Sequence, residues 1–151
     1  MATISGMDKL ISNLTALKTV WDDPAVVNAG AAEFVEAQKA NVRKKLNQNS
    51  KGALENAIQV IPINNKVAEA GIPANTLPYQ LVHEFGKIIV PKKKKALKFE
   101  IDGEIIIVKQ VEIPARPYVR PSAKAGARTL AIVAITKKLQ KKIRVIAQKS
   151  V

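Results

Sequence analysis

Residues 113–121 read Ile-Pro-Ala-Arg-Pro-Tyr-Val-Arg-Pro, and this segment divides the chain into two parts of different character. Its prolines, Pro114, Pro117 and Pro121, hold φ at about −65° and carry no backbone N–H donor. Each proline also favours extended geometry at the residue before it. The sequence therefore predicts a stiff extended segment at 113–121, hereafter the proline strap, preceded by strands and followed by one long helix.

Length and composition indicate one folded domain of class α+β. With 151 residues, 47% of them hydrophobic, the chain is long enough to bury a core. Aromatic residues make up only 4%, so we expect that core to be aliphatic. We expect a single domain over 1–151, with two N-terminal helices at about 4–48, a small antiparallel sheet and loops at about 57–113, and a C-terminal helix at about 122–148.

Several classes of protein are excluded by what the sequence lacks. There is no cysteine, which excludes disulfides, thiolate catalysis and zinc–sulfur sites. No apolar run approaches the roughly 20 residues that a membrane-spanning helix needs. The first residues lack the basic and then apolar regions of a secretory signal. We therefore expect a protein that is made in the cytoplasm and has no membrane partner.

The positive charge is concentrated in the last part of the chain. The formal net charge is +13 at pH 7, and no acidic residue follows Glu112. The basic residues beyond it are Arg116, Arg120, Lys124, Arg128, Lys137, Lys138, Lys141, Lys142, Arg144 and Lys149. Such asymmetry favours contact with nucleic acid or with an acidic partner surface.

The N-terminal part has the pattern of two helices. Apolar residues recur at three- and four-residue steps in the first one, at Ile4, Met7, Ile11, Leu14, Leu17 and Trp21, with Ser5 as a candidate cap. Asp22-Asp23-Pro24 then breaks the run and suits the start of a second helix, from about Pro24 to about Asn47. The expected buried residues of that helix are Val27, Ala31, Phe34, Val35, Val42 and Leu46.

The sequence of residues 52–90 predicts several short helices and strands. Gly52 begins a segment typical of one helical turn, and the β-branched run at 58–63 predicts a strand. We expect a surface loop at 64–76 because it contains glycine, proline and asparagine. A short helix at about 77–84 follows, with Gly86 as its left-handed C-cap, and then an edge strand at 88–90.

Residues 97–109 have the pattern of a β-hairpin with Asp102-Gly103 as its two-residue turn. In that register the second strand is apolar on both faces, whereas its neighbour is apolar on one. A second apolar face requires something to cover it. We therefore expect Ile105, Ile107 and Val111 to contact another subunit.

The C-terminal region predicts one amphipathic helix from about 122 to 148, with Ser122 as its N-cap. Its apolar stripe is Ile132, Ile135, Leu139, Ile143 and Ile146. The plain interpretation of its basic residues is a solvated face, and the sharper one is contact with phosphate groups. The candidates that face DNA or an acidic partner are Lys92, Lys93, Lys94, Lys95, Lys137, Lys138, Lys141, Lys142 and Arg144.

The sequence offers little for catalysis. The only histidine, His83, has no second candidate ligand near it, and we interpret it as a polar residue on a short helix. Glycine-rich phosphate loops, nucleophile elbows and metal-ligand spacings are missing. We therefore expect no enzymatic activity, no metal and no cofactor.

Three segments taken in order resemble a known protein family. They are 52–58 (Gly-Ala-Leu-Glu-Asn-Ala-Ile), 79–86 (Tyr-Gln-Leu-Val-His-Glu-Phe-Gly) and the proline strap. Together they resemble the tail-completion family of tailed bacteriophages, also called neck or minor tail-component proteins, and the virion-morphogenesis proteins of Mu-like phages. The residues that carry the resemblance are Gly52, Leu54, Ile58, Glu84, Phe85, Gly86, Pro114, Ala115, Arg116, Pro117, Tyr118 and Pro121. Lys87 departs from the threonine that this family often has after its Glu-Phe-Gly turn.

The resemblance implies a structural virion protein at the neck or upper tail. Copies of such a subunit would form a ring, with sixfold symmetry, around the DNA channel. Its partners would be head-completion and tail-terminator or tail-tube proteins, and packaged double-stranded DNA without sequence specificity. Two alternatives stay open: a tail-terminator ring protein one layer away, and a non-specific basic nucleic-acid-binding protein without a virion role.

Overall fold

The chain adopts an α+β fold in a computed structural model, as the sequence predicts. The structure describes residues 6–46, 52–92 and 95–148, and at residue 125 the backbone alone. Ile4 and Ser5, which the sequence assigned to the first helix, lie outside these ranges. The elements are α1 (Met7–Val20), α2 (Pro24–Lys45), α3 (Ala53–Ala57), β1 (Gln59–Asn64), β2 (Val67–Gly71), α4 (Gln80–Phe85), β3 (Lys87–Ile89), β4 (Leu97–Ile101), β5 (Glu104–Val108), β6 (Val111–Ile113), α5 (Val119–Ser122) and α6 (Ala125–Gln148).

Helix α2 begins at Pro24, as predicted, because Asp23 caps it. The Asp23 carboxylate accepts a hydrogen bond of 2.8 Å from the Ala25 N–H, which satisfies one of the free donors of the first turn. Three of the residues expected in its core, Val27, Phe34 and Leu46, are only half-buried. Its buried residues are Val26, Gly30, Ala31, Val35, Gln38 and Val42.

Helices α2 and α6 pack against each other in opposite directions. A Cβ at Gly30 would lie 2.7 Å from Ile135 Cδ1, so a larger residue at this position would require the Ile135 side chain to move. Ala131, one turn earlier on α6, is buried. Asp23, at the start of α2, forms an ion pair with Lys142, near the end of α6. The two longest helices therefore form one layer of the fold.

The strands form three separate two-stranded antiparallel ladders, β1–β2, β3–β6 and β4–β5, where the sequence predicted one small sheet. Strand β2 lies in the segment 64–76 that was predicted as a loop, so that prediction is wrong. Its Val-Ala-Glu-Ala-Gly sequence has little intrinsic strand preference. Tertiary contacts decide instead: β2 pairs with β1, and Gln38 Nε2 donates a 2.8 Å hydrogen bond to the carbonyl of Ala70.

In the β4–β5 ladder Ile101 lies opposite Glu104, and Asp102 and Gly103 between them have φ of 52° and 86°. The chain then leaves this ladder, and β6 pairs with β3 through Val111 opposite Ile89. Val111 therefore lies in a different ladder from Ile105 and Ile107, with which the sequence analysis grouped it.

The proline strap is not extended throughout, because its last residues enter helix α5. Helix α6 begins at Ala125. The sequence predicted Ser122 as its N-cap, and that prediction is wrong. Ser122 is buried inside α5, where its Oγ donates a 2.5 Å hydrogen bond to the carbonyl of Val119. Pro121 is tolerated there because the first N–H groups of a helix have no partner within the helix.

Candidate functional site

The junction between α4 and the proline strap is centred on one buried carboxylate. Glu84 is 5% exposed, and its Oε2 accepts hydrogen bonds from the N–H groups of Tyr118 and Val119 at 2.8 and 3.0 Å. Its Oε1 accepts from the N–H of Arg120 at 3.1 Å. We call these four residues the Glu84 network. A side chain from α4 thus binds the three donors that open α5.

This arrangement explains how a helical turn starts inside a proline strap. The donors of Tyr118, Val119 and Arg120 would otherwise be unpaired at the start of α5. The following residue, Pro121, has no N–H to satisfy. A buried donor that lacks a partner costs about 1–3 kcal/mol, and the Tyr118 donor is buried while those of Val119 and Arg120 are part-buried, so Glu84 stabilises this turn.

The side chain of Arg120 closes the network from the solvent side. Its Nε lies 3.2 Å from Glu84 Oε1, and one terminal nitrogen donates to the carbonyl of Glu84, also at 3.2 Å. The guanidinium lies 5.2 Å from the ring centroid of Phe85, a cation–π contact. From the sequence, Arg120 was named only among the basic residues beyond Glu112, and its charge partner could not be identified from spacing alone.

Gly86 allows the strap to pass directly over the end of α4. Its φ is 72°, and a Cβ there would lie 2.9 Å from the Ala115 nitrogen and from the Ile113 oxygen. Since both neighbours are backbone atoms, neither can move aside easily. The Arg116 N–H donates a 2.7 Å hydrogen bond to the carbonyl of His83 and fixes the same crossing.

Helix α2 holds the strap from its other side. Asn41 Nδ2 donates to the carbonyl of Tyr118 at 3.1 Å, and Lys45 Nζ donates to the carbonyl of Pro117 at 2.8 Å. Neither residue was predicted from the sequence, because a polar position on a helix gives no signal of its tertiary partner. The strap is therefore fixed by side chains from α2 and α4 together.

The Tyr118 ring enters the core of the protein. It is 4% exposed and packs in one cluster with Val35, Val42, Leu54 and Ile58. Leu54 and Ile58 belong to the first of the three segments that resemble the phage family, whereas Glu84, Gly86 and the strap belong to the other two. All three segments thus meet at this junction.

The environment of the junction shifts three pKa values. Burial by itself raises the pKa of Glu84, but the hydrogen bonds from Val119, Tyr118 and Arg120 outweigh it, so that pKa is lowered. Burial, with a smaller contribution from Glu84, raises the pKa of Tyr118. Burial, and then the charge of Arg116, lowers the pKa of His83. Glu84 is accordingly held as an anion.

The chemistry that this arrangement supports is structural. Both oxygens of Glu84 are occupied by donors, so its carboxylate is not placed to accept a proton from a substrate. His83 packs edge-on against Tyr79, with ring centroids 5.6 Å apart.

No cluster of metal-binding side chains occurs within residues 6–46, 52–92 and 95–148. In the same ranges no helix is long and apolar enough to cross a membrane.

The predicted subunit-interface residues differ in their exposure. Ile105 and Ile107 of β5 are 60% and 65% exposed, which leaves them available to a partner. Val111 is half-buried in the β3–β6 ladder, away from the other two in the strand order. The structure therefore does not bring the three together on one strand.

The predicted basic residues also divide into groups. Lys92, Lys95, Lys137, Lys138, Lys141 and Arg144 are exposed, whereas Lys93 and Lys94 lie outside the described residues. Lys142 differs from them because it is half-buried and paired with Asp23. The sequence assigned Lys142 to the residues that face DNA or an acidic partner, and that assignment stays a prediction.

Comparisons with protein-family models, with curated proteins and with solved structures found no match for this chain.

Proposed function

We propose that this chain is a structural virion protein of a tailed phage, a tail-completion or neck subunit that forms a ring at the head–tail junction around the DNA channel. The observation that carries the proposal is the meeting of the three resembling segments at one junction. Glu84 and Tyr118, 34 positions apart, are joined by a direct hydrogen bond. Residues that a family shares are expected to lie together when they hold its fold.

The exposed surface of the chain supports assembly. The accessible area is 11556 Å², whereas a compact monomer of 16.4 kDa exposes about 7,500 Å². Large apolar side chains contribute to this surface, among them Ile105 and Ile107. Exposed apolar patches of this kind mark surfaces that contact other proteins.

The test is to delete the gene from the phage or prophage that carries it and to examine the particles by negative-stain electron microscopy. The proposal predicts DNA-filled heads beside unattached tails, and complementation by the wild-type gene should restore joined virions. Tails of uncontrolled length would favour the tail-terminator alternative. Intact, joined virions would contradict both.

The alternative from another class is a basic nucleic-acid-binding protein, and the exposed side chains Lys137, Lys138, Lys141 and Arg144 favour it. It predicts tight binding of the isolated monomer to duplex DNA, with an affinity that falls steeply as salt rises. The neck proposal predicts weak binding under the same conditions. Fluorescence anisotropy with labelled duplex at several salt concentrations, on wild type and on a variant with these four residues changed to Gln, distinguishes them.

A further inference from the structure

Helix α1 packs on the rest of the protein with a face that is not its most apolar one. The residues turned toward the body are Asn13, Ala16, Leu17 and Val20, of which Val20 is buried and the others half-buried. The most apolar face is turned outward and consists of Met7, Leu10, Ile11, Leu14 and Trp21, hereafter the α1 stripe. At about 100° per residue, the centres of the two faces lie about 110° apart around the helix.

The α1 stripe is therefore exposed although it is the best-formed apolar face of the N-terminal region. Leu10, Ile11 and Leu14 are between 53% and 56% exposed, and Trp21 is 66% exposed. An amphipathic helix in a monomer turns such a face to the core. Tryptophan at the centre of an interface is, moreover, among the side chains that contribute most to binding.

Helix α6 leaves a second apolar strip exposed. Ile132 and Ile143 are 59% and 43% exposed, and Leu139 between them is half-buried. They belong to the predicted apolar stripe, but α2 packs on the neighbouring side of α6, through Ala131 and Ile135. We call Ile132, Leu139 and Ile143 the α6 strip.

The two exposed faces lie on opposite flanks of the helical layer. A groove of about 450 Å³ between α1 and α6 is lined by Ala16 and Val20 on one side and by Lys138, Lys141 and Val145 on the other. Around α6, the side that faces α1 lies about 140° from Ile132 and Ile143, with the α2 contact between them. One copy therefore cannot cover its own α6 strip with its own α1 stripe in this arrangement.

We propose that the α1 stripe of one copy packs on the α6 strip of a second copy, in a head-to-tail contact. Such a contact uses two different surfaces of the same chain, and it closes into a ring when its rotation allows. This inference rests on the proposed ring and names the surfaces that build it. The surplus area of about 4,000 Å² is enough for two interfaces, since each stable interface buries about 800 Å² per partner.

The charges of the two faces permit this pairing. The polar face of α1 carries both Asp8 and Lys9, so the helix is close to neutral at its first turns. It can therefore approach α6, which carries only basic charge, without strong repulsion. An α1–α1 pairing between copies would cover the α1 stripes but leave every α6 strip exposed.

Cysteine cross-linking tests the contact, because the natural chain has no cysteine. One copy carries Leu14→Cys, a second carries Ile132→Cys, and the mixture is oxidised and run on a non-reducing gel. A disulfide forms only when two Cα atoms come within about 7 Å of each other. We expect a dimer band in the mixture and little in either variant alone. The control pair is Ser12→Cys with Lys137→Cys, both exposed and turned away from the proposed contact, and it should remain monomeric on the gel.

Mixing two charged variants gives an independent readout. Ile11→Asp and Ile132→Asp should each weaken association by at least about 30-fold. Mixed in equal amounts, they retain one intact α1 stripe and one intact α6 strip, so they should form a one-to-one dimer that grows no further. The emission of the single tryptophan should shift to shorter wavelength on this association, because Trp21 becomes buried.

Three results would overturn the inference. Cross-linking of Leu14→Cys to itself would show that α1 pairs with α1. An assembled wild type that does not give the mixed cross-link would place the interface elsewhere. A wild type that is monomeric at every concentration would show that a second copy covers neither face. The neck proposal is tested separately by the particles that the deleted phage makes. A ring that lacks this cross-link would leave the neck proposal standing.

Discussion

The Glu84 network and helix α1 differ in whether one chain supplies the partners that their side chains need. At the network, the backbone donors of Tyr118, Val119 and Arg120 and the arginine side chain meet a single carboxylate. On α1, the apolar stripe from Met7 to Trp21 faces water. The first region is complete in a single copy and serves the fold, whereas the second is incomplete until another molecule covers it. A substitution should therefore lower stability in one region and association in the other.

The largest loss of stability is expected from Glu84→Ala. This change removes the acceptor for one buried and two part-buried donors and leaves the Arg120 side chain without its partner, so the free energy of unfolding should fall by about 3–5 kcal/mol. Urea denaturation followed by circular dichroism measures it. Glu104→Ala on the exposed end of β5 is the matched control and should change stability by less than about 0.5 kcal/mol. Equal losses in the two variants would contradict the role of the network.

Gly86→Ala should have the next largest effect. A side chain at its φ of 72° is strained, and its Cβ would also meet the backbone of Ala115 and Ile113 at 2.9 Å, so we expect a loss of about 2–4 kcal/mol. Gly103→Ala separates the two causes, because Gly103 has φ of 86° but nothing within 4 Å of its Cβ position. That variant should lose only about 1 kcal/mol. If the two alanine variants are equally stable, the close crossing of the strap is not what Gly86 provides.

Acid should weaken the fold through the same carboxylate. Since the pKa of Glu84 is lowered in the folded protein, its contribution is present above the ordinary glutamate pKa and is lost as pH falls through the lowered value. Stability of the wild type should therefore drop below about pH 4. Glu84→Gln should be less stable at neutral pH and should show a shallower drop in acid. Denaturation curves at several pH values measure the difference, and parallel pH profiles for both proteins would contradict it.

The smallest effect on stability is expected from Ile11→Asp in the α1 stripe. Its side chain is 55% exposed, so the free energy of unfolding of the monomer should change by less than about 0.5 kcal/mol. Sedimentation velocity should nevertheless show a loss of association.

Asn41→Ala should give the opposite result, since it removes a hydrogen bond to the carbonyl of Tyr118. It should lower the free energy of unfolding by about 1 kcal/mol without affecting association.

Local signals in the sequence were enough for the long helices and for the fold class. Asp23-Pro24 is a strong helix start, and α2 begins there. Strand β2 was not predictable, because Ala68, Glu69 and Ala70 owe their extended geometry to β1 and to Gln38 rather than to their own preferences. The break at α5 was hidden for a similar reason, since its start depends on Glu84, which lies far away in the sequence.

The faces of the helices were harder to predict than the helices themselves. Periodicity predicted apolar stripes on α1 and α6, but the predicted α1 stripe included Leu17, which is half-buried, and lacked Leu10, which is exposed. Periodicity also carries no information about which molecule covers a stripe. Small residues lie at the contact between α2 and α6 instead, where Gly30 faces Ile135 and Ala131 is buried. At the candidate site, the sequence indicated Glu84, Gly86 and Tyr118 through a resemblance, and only the structure joined them to Asn41, Lys45 and Arg120.

Hydrogen exchange measured by mass spectrometry at low and high protein concentration tests the contrast between the two regions most directly. We expect the amides of Tyr118, Val119 and Arg120 to exchange only through global unfolding at either concentration. We also expect the amides of residues 7–14 to exchange rapidly in the dilute protein and to become protected as copies associate. Rapid exchange at 118–120, or protection of α1 that does not depend on concentration, would contradict it.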